Sequence, residues 1–150
     1  MHISQKCQYT LRALFELAKR YGGEPVSAAE IAEAQAIPPR FLELILQELK
    51  NSREVESRRG NNGGYVLAVP PDTITVGDII RSVDGSLSPV HCASTKARGH
   101  CLLMGRCPFM EVWRKAQAAI EDVYDSFTLR NLVDNERTIA EQIEPLEYFV

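Results

Sequence analysis

The sequence predicts a mainly α chain that carries one small β-hairpin. Three observations support this. Apolar residues recur at intervals of three and four through residues 5–21, 38–50 and 108–127, the period of an amphipathic helix. The stretch VESRRGNNGGYVLAV (55–69) reads as strand, glycine-rich turn, strand. Serine, threonine or proline stands just ahead of several helical stretches and glycine just after two of them, where helix caps belong.

The first helix is expected over residues 5–21, with Leu11, Leu14, Phe15, Ala18 and Tyr21 at helical spacing and Gly22-Gly23 as its stop. Ser27 and Glu30 form a capping-box pair that starts a short second helix. The residues AQAI then turn the chain, and Pro38-Pro39 open a third helix, where a missing amide proton costs nothing. In that helix Leu42, Ile45, Leu46 and Leu49 make a stripe to be buried. Arg40, Glu43, Gln47 and Lys50 share an exposed face. Two short helices joined by a tight turn fit a helix-turn-helix, and equally a plain helical hairpin with a solvated face.

The hairpin that follows favours the first reading. Arg58 and Arg59 stand at its tip beside Asn61 and Asn62, and Asn62-Gly63 tolerates the positive φ of a tight turn. A basic hairpin directly after a helix-turn-helix is a wing, whose arginines suit the negative potential of a DNA minor groove. Alone it could be a solubilising surface hairpin; the order of elements makes it a wing. Thr75 caps a short helix with Ile79, Ile80 and Val83 inward, and Gly85 ends it. After a cysteine-containing loop, Pro108 opens a long helix. Its stripe of Phe109, Val112, Trp113, Ala116, Ile120, Val123, Tyr124 and Phe127 is rich enough to pack on a second copy. Thr128 caps a final short helix, and the apolar tail EPLEYFV is expected to dock. The fold class is therefore mainly α with a β-hairpin wing. Residues 1–85 form a winged helix-turn-helix DNA-binding domain, 86–107 a cysteine loop, and 108–150 a dimerisation helix and C-terminal arm.

Composition, 45% apolar and 25% charged, is that of an ordinary globular chain, and no apolar run is long enough to span a membrane. The N-terminus has no secretory pattern, so a cytoplasmic location with reduced thiols is expected. Net charge is −3, yet residues 1–68 hold nine basic against eight acidic residues, and 69–150 eight against twelve. Any nucleic-acid surface belongs to the first half. An enzyme is disfavoured: there is no close CxxC, no Ser-His-Asp set, and two of the three histidines adjoin cysteines.

Three of the four cysteines lie in HCASTKARGHCLLMGRC, spaced Cys92-x8-Cys101-x5-Cys107. Structural zinc takes four close-set ligands, which this spacing fits poorly. An iron–sulfur cluster is larger and is held by thiolates from open loops. Lys96, Arg98 and Arg106 nearby would favour thiolates. The residues alone also allow small buried side chains or redox-active thiols without a metal.

CQYTLRALFELAKRYG, VSAAEIAEAQAIPPRFLELILQELK, RRGNNGGYVLAVPPDTITVGDIIRSVDG, the three cysteines, VW and TLRNL together resemble the Rrf-two (Rrf2) family of bacterial winged-helix transcription regulators. The resemblance covers nearly the whole chain, and the run from Arg59 to Ile80 is its most specific part. It implies a homodimer on palindromic double-stranded operator DNA; the third helix is then expected in the major groove with Arg40, Glu43 and Gln47 as base readers and Lys50 as a further DNA contact. Arg58, Arg59, Asn61 and Asn62 would act on the wing, and Ser27 would donate to a phosphate. It implies an iron–sulfur cluster (2Fe-2S or 4Fe-4S) on Cys92, Cys101 and Cys107 whose state sets DNA affinity. Cys7, Gln8, His91 and His100 are candidate fourth ligands; a histidine that some members carry after the third cysteine is Met110 here. Ser52, Arg53 and Glu54 replace the small residue, glycine and leucine usual after the third helix. Some members lack the cysteines and answer to a partner protein; SLSPV and the apolar tail resemble those, which leaves thiol oxidation or a metabolic-enzyme partner as the alternative switch.

Overall fold

A computed structural model describes residues 2–94 and 101–143. Six α-helices occur among these: α1 (Gln5–Lys19), α2 (Ala28–Ala34), α3 (Pro39–Asn51), α4 (Val76–Val83), α5 (Met110–Asp125) and α6 (Leu129–Ile143). One hairpin, β1 (Val55–Arg58) and β2 (Gly64–Leu67), follows α3, and a single 3₁₀ turn spans His91–Ala93.

Helix α1 is the hub, packing against α2, α3, α4, α6 and β2. It ends at Lys19, two residues early, and Tyr21 lies exposed beyond it. Its inward face holds Ala13, Leu14, Leu17 and Ala18, whereas Leu11 and Phe15 are half-buried. The expected face was therefore rotated: Leu17 belongs inside in place of Tyr21. Around α1 the main core gathers Val26, Ile31, Leu42, Ile45, Leu46 and Leu49 with Val55, Ile79, Leu129 and Val133. A smaller second core joins Cys7, Ile80 and Leu87.

Caps define most helix starts. Ser27 Oγ accepts the Glu30 amide at 3.2 Å, and Glu30 Oε2 accepts the Ser27 amide at 2.9 Å. Thr75 and Asp78 repeat the arrangement on α4. Thr128 and Asn131 repeat it on α6, where Thr128 Oγ1 accepts the Asn131 amide at 3.2 Å. Each such cap contributes about 1 kcal/mol. The cap on α6 was expected, but the helix is 15 residues and not short. Its dense charges are what a helix carries on its outer face when Leu129 and Val133 are buried and Leu132 packs beside them. Helix α5 starts at Met110 with Phe109 as its cap residue, two residues after the proline expected to open it. The tail 144–150, expected to dock, lies outside the described residues.

Helices α2 and α3 both end in Schellman motifs. After α2 the Ile37 amide reaches the Ala32 carbonyl at 3.0 Å, and Ala36 takes φ 50°. After α3 the Glu54 amide reaches the Leu49 carbonyl at 3.0 Å and the Arg53 amide reaches Lys50 at 3.1 Å, with Arg53 at φ 65°. The replacement of the usual glycine therefore leaves the helix end intact, with an arginine held in the left-handed region.

Strands β1 and β2 pair antiparallel, Val55 opposite Leu67 and Arg58 opposite Gly64. The expected tight turn at Asn62-Gly63 does not form. A longer loop closes the hairpin, Gly60 takes φ 124°, Asn62 is not at positive φ, and the Gly63 amide meets the Gly60 carbonyl at 3.0 Å. Five residues between the strands leave no need for a two-residue turn. Strand β2 also exchanges bonds with Val26, Val26 amide to Tyr65 carbonyl at 2.9 Å and the reverse at 2.8 Å. A Cβ on Gly64 would lie 2.4 Å from the Val26 carbonyl oxygen, so this pairing needs glycine.

Candidate nucleic-acid interface and cysteine loop

The buried stripe of α3 is the expected one, Leu42, Ile45, Leu46 and Leu49. Arg40, Glu43, Gln47 and Lys50 consequently face solvent. Glu48 does not join them: it pairs with Lys6 of α1 at 2.8 Å, which ties α3 to the hub. Two apolar residues share the exposed surface, Phe41 and Leu44. Their spacing of three, outside the buried stripe, was the signal for them. Phe41 leans on Tyr9, centroids 6.0 Å apart, and the Arg12 guanidinium lies over the Tyr9 ring, 5.9 Å from its centroid.

Arg58 and Arg59 are exposed on the wing. Arg40, Lys50, Arg58 and Arg59 form no ion pair among the described residues, whereas Lys6, Lys19, Arg20 and Arg81 are each committed to a carboxylate. Ser27, Glu30, Asn61 and Asn62 line one open groove of about 380 Å³ between the start of α2 and the wing. The Ser27 hydroxyl donates to Glu30 Oε2 at 2.8 Å, so it is already engaged. The Ser27 amide and hydroxyl hold Glu30 below the usual carboxylate range, and Arg20 adds to that.

The cysteines divide into two kinds. Cys7 is fully buried in the second core. Burial, and next the Asp84 carboxylate, push its thiol up to about 11. A thiol so hard to ionise is a core side chain and not a ready ligand. Gln8 spends its side-chain amide on the Ile3 carbonyl at 3.2 Å. Cys92 sits in the 3₁₀ turn beside His91, Cys101 is exposed, and Cys107 is half-buried just before α5; all are free thiols. His100, Lys96 and Arg98 lie outside the described residues.

By chemistry, three free thiols, one exposed and two half-buried, suit a thiophilic metal or cluster. By geometry, no three His, Cys, Asp or Glu side chains among the described residues gather into a metal-holding group. Holding a cluster would require the loop to draw its thiols together. The 3₁₀ turn packs against α5, and α5 packs against α4. Ser4 at the cap of α1 is tied to Asp84 at the end of α4, its amide donating at 2.8 Å. These contacts link the 3₁₀ turn through α5 and α4 to the N-terminus of the hub helix.

Helix α5 buries none of its residues. Ile120 and Tyr124 touch the second core, whereas Phe109, Val112, Val123 and Phe127 remain exposed. No helix among the described residues is long and apolar enough to cross a membrane.

Comparison with known proteins agrees with this arrangement. Residues 3–135 match the Rrf2 family, described as an iron-dependent transcriptional regulator. The chain is 38% identical over 132 residues to the HTH-type transcriptional regulator CymR of Bacillus subtilis (strain 168), covering 88% of this chain and 89% of that one. It superposes on the structure of B. subtilis CymR, titled the global cysteine regulator, with a TM-score of 0.73 and 37% identity, covering 90% of this chain and 98% of that one. The structure of T. potens IscR gives a TM-score of 0.70 at 33% identity, covering 91% and 88%. The chain belongs to the Rrf2 family and is a transcriptional regulator, not an enzyme.

Proposed function

We propose that the chain is a homodimeric repressor of palindromic operator DNA, and that an iron–sulfur cluster on Cys92, Cys101 and Cys107 controls its operator affinity. The observation that carries the DNA half is the solvent-facing basic and polar surface of α3 and the wing, where Arg40, Lys50, Arg58 and Arg59 are held by no carboxylate among the described residues, whereas Lys6, Lys19 and Arg20 are each tied to one. Helix α3 enters the major groove with Arg40, Glu43 and Gln47 at base edges and Lys50 toward the backbone. Arg58 and Arg59 take phosphate or minor groove, with Asn61 and Asn62 beside them. Ser27 can donate to a phosphate only by releasing Glu30. Residues 1–85 read DNA, 86–107 sense, and 108–150 join the two copies through the exposed face of α5.

The three free loop thiols support the sensing role. When bound, a cluster would supply a centre sensitive to oxidant, nitric oxide or iron supply. The chain's own part is to pass a loop movement through the 3₁₀ turn to α5, which alters the separation of the two α3 helices. Reading heads on half-sites about 34 Å apart cannot both dock after such an error.

A second reading keeps the DNA fold and replaces the cluster by thiol oxidation or a metabolic-enzyme partner. Two findings favour it: the thiols are not gathered, and the relative titled the global cysteine regulator is 37% identical. Anaerobic purification with iron and sulfide assay separates the two. Stoichiometric iron and sulfide, lost with visible absorbance in each of Cys92→Ala, Cys101→Ala and Cys107→Ala, supports the cluster. Iron-free protein that still binds its operator supports the second reading.

A further inference from the structure

We infer that Leu44 reads thymine, by packing its side chain on the 5-methyl group in the major groove; the inference rests on the operator-binding reading above. Large exposed apolar side chains on the chain fall into two groups. Most lie in the cysteine loop, α5 and α6, where the second copy is proposed to sit. Among the described residues up to 85, the exposed large apolar side chains are Tyr21, Phe41 and Leu44, and two of these are one turn apart on α3.

Leu44 is the more exposed, at 61% against 53% for Phe41. At 3.6 residues per turn it stands opposite the buried stripe of Leu42, Ile45, Leu46 and Leu49, close to Arg40 on the preceding turn. Phe41 has a partner in Tyr9, and Glu48 on the following turn is held by Lys6. Leu44 thus projects from the middle of the face that would enter the groove, with no packing role in the fold. A leucine can neither donate nor accept a hydrogen bond. The edge groups of the major groove are donors and acceptors, with one apolar exception, the methyl of thymine. A leucine at this place therefore selects that methyl, which cytosine lacks.

The test uses a duplex enriched by the full-length protein from a random-sequence library. Each thymine of that duplex is replaced in turn by deoxyuridine, which keeps base pairing and every polar edge group and removes only the methyl. Removing contact with one methyl-sized group is expected to weaken binding about fourfold. The expected result is such a loss at symmetry-related positions of the two half-sites. In Leu44→Ala and Leu44→Gln that loss disappears while the melting temperature stays near wild type, because the side chain is exposed. An enriched duplex that tolerates deoxyuridine everywhere, or a loss that persists in both variants, overturns the inference and leaves operator binding standing. Failure to enrich any sequence overturns both.

Discussion

Among single residues, Cys7 and Cys101 make the sharpest contrast. Cys7 is sealed between α1, α4 and Leu87, and burial sets its thiol near 11; Cys101 is open to solvent. At pH 8.5, iodoacetamide mass spectrometry of metal-free protein should find Cys101 alkylated and Cys7 untouched until the protein unfolds. The stability consequence has a definite sign. A thiol whose folded value lies above the ordinary value of about 8.5 adds stability that is intact below that pH and is lost as pH rises toward 11. Cys7→Ser should therefore flatten the alkaline limb of the stability profile, and an unchanged limb would contradict the assignment. From the sequence Cys7 was only a fourth thiol near a candidate ligand position. Its burial depends on α4 and Leu87, some eighty residues away, and no local spacing encodes that. Arg40, Glu43, Gln47 and Lys50 were readable in the sequence because one helical period sorts them from the core. Leu44 was not singled out, because an exposed leucine breaks the polar-outside pattern on which that sorting rests.

At the level of elements, the two Schellman turns that bracket α3 are built without glycine. An L-residue in the left-handed region costs roughly 1–2 kcal/mol, part of which glycine would give back through a freer unfolded chain. Arg53→Gly should stabilise the protein by about 0.5–1 kcal/mol in urea denaturation with an unchanged slope; destabilisation would mean that the arginine side chain contributes more than its backbone costs. The wing gives a functional counterpart. Arg59 is exposed and unpaired, so Arg59→Ala should weaken operator binding severalfold in a gel-shift titration and leave the melting temperature in place. Caps at Ser27, Thr75 and Thr128 were readable because each is a local three-residue pattern. The wing was readable as a hairpin, but its turn was not: Asn62-Gly63 has the right chemistry for a two-residue loop, and strand pairing at Arg58 and Gly64 selects a longer one. Helix α6 was underestimated because its charges hide a periodicity that only packing on α1 makes visible.

For the whole molecule, the described residues leave one helix without a place to bury its apolar side. Phe109, Val112, Val123 and Phe127 of the α5 region remain in water unless a second copy covers them. Val112→Asp should give a folded monomer by sedimentation equilibrium, with wild-type helix content and operator affinity reduced at least tenfold, since one reading head loses its partner. A dimer unaffected by that charge would place the interface elsewhere. The mainly α fold with its wing was readable because it follows from the order of local elements. How the thiols respond was not: the loop has no period, and its spacing suits a cluster in kind while its described conformation does not gather the thiols. The most direct test of the central claim is the affinity of anaerobically purified protein for its enriched operator duplex, measured before and after removal of iron by a chelator. The account predicts bound iron and sulfide and at least a tenfold change in affinity on their removal. Iron-free protein as purified, or an affinity that chelation leaves unmoved, would contradict it.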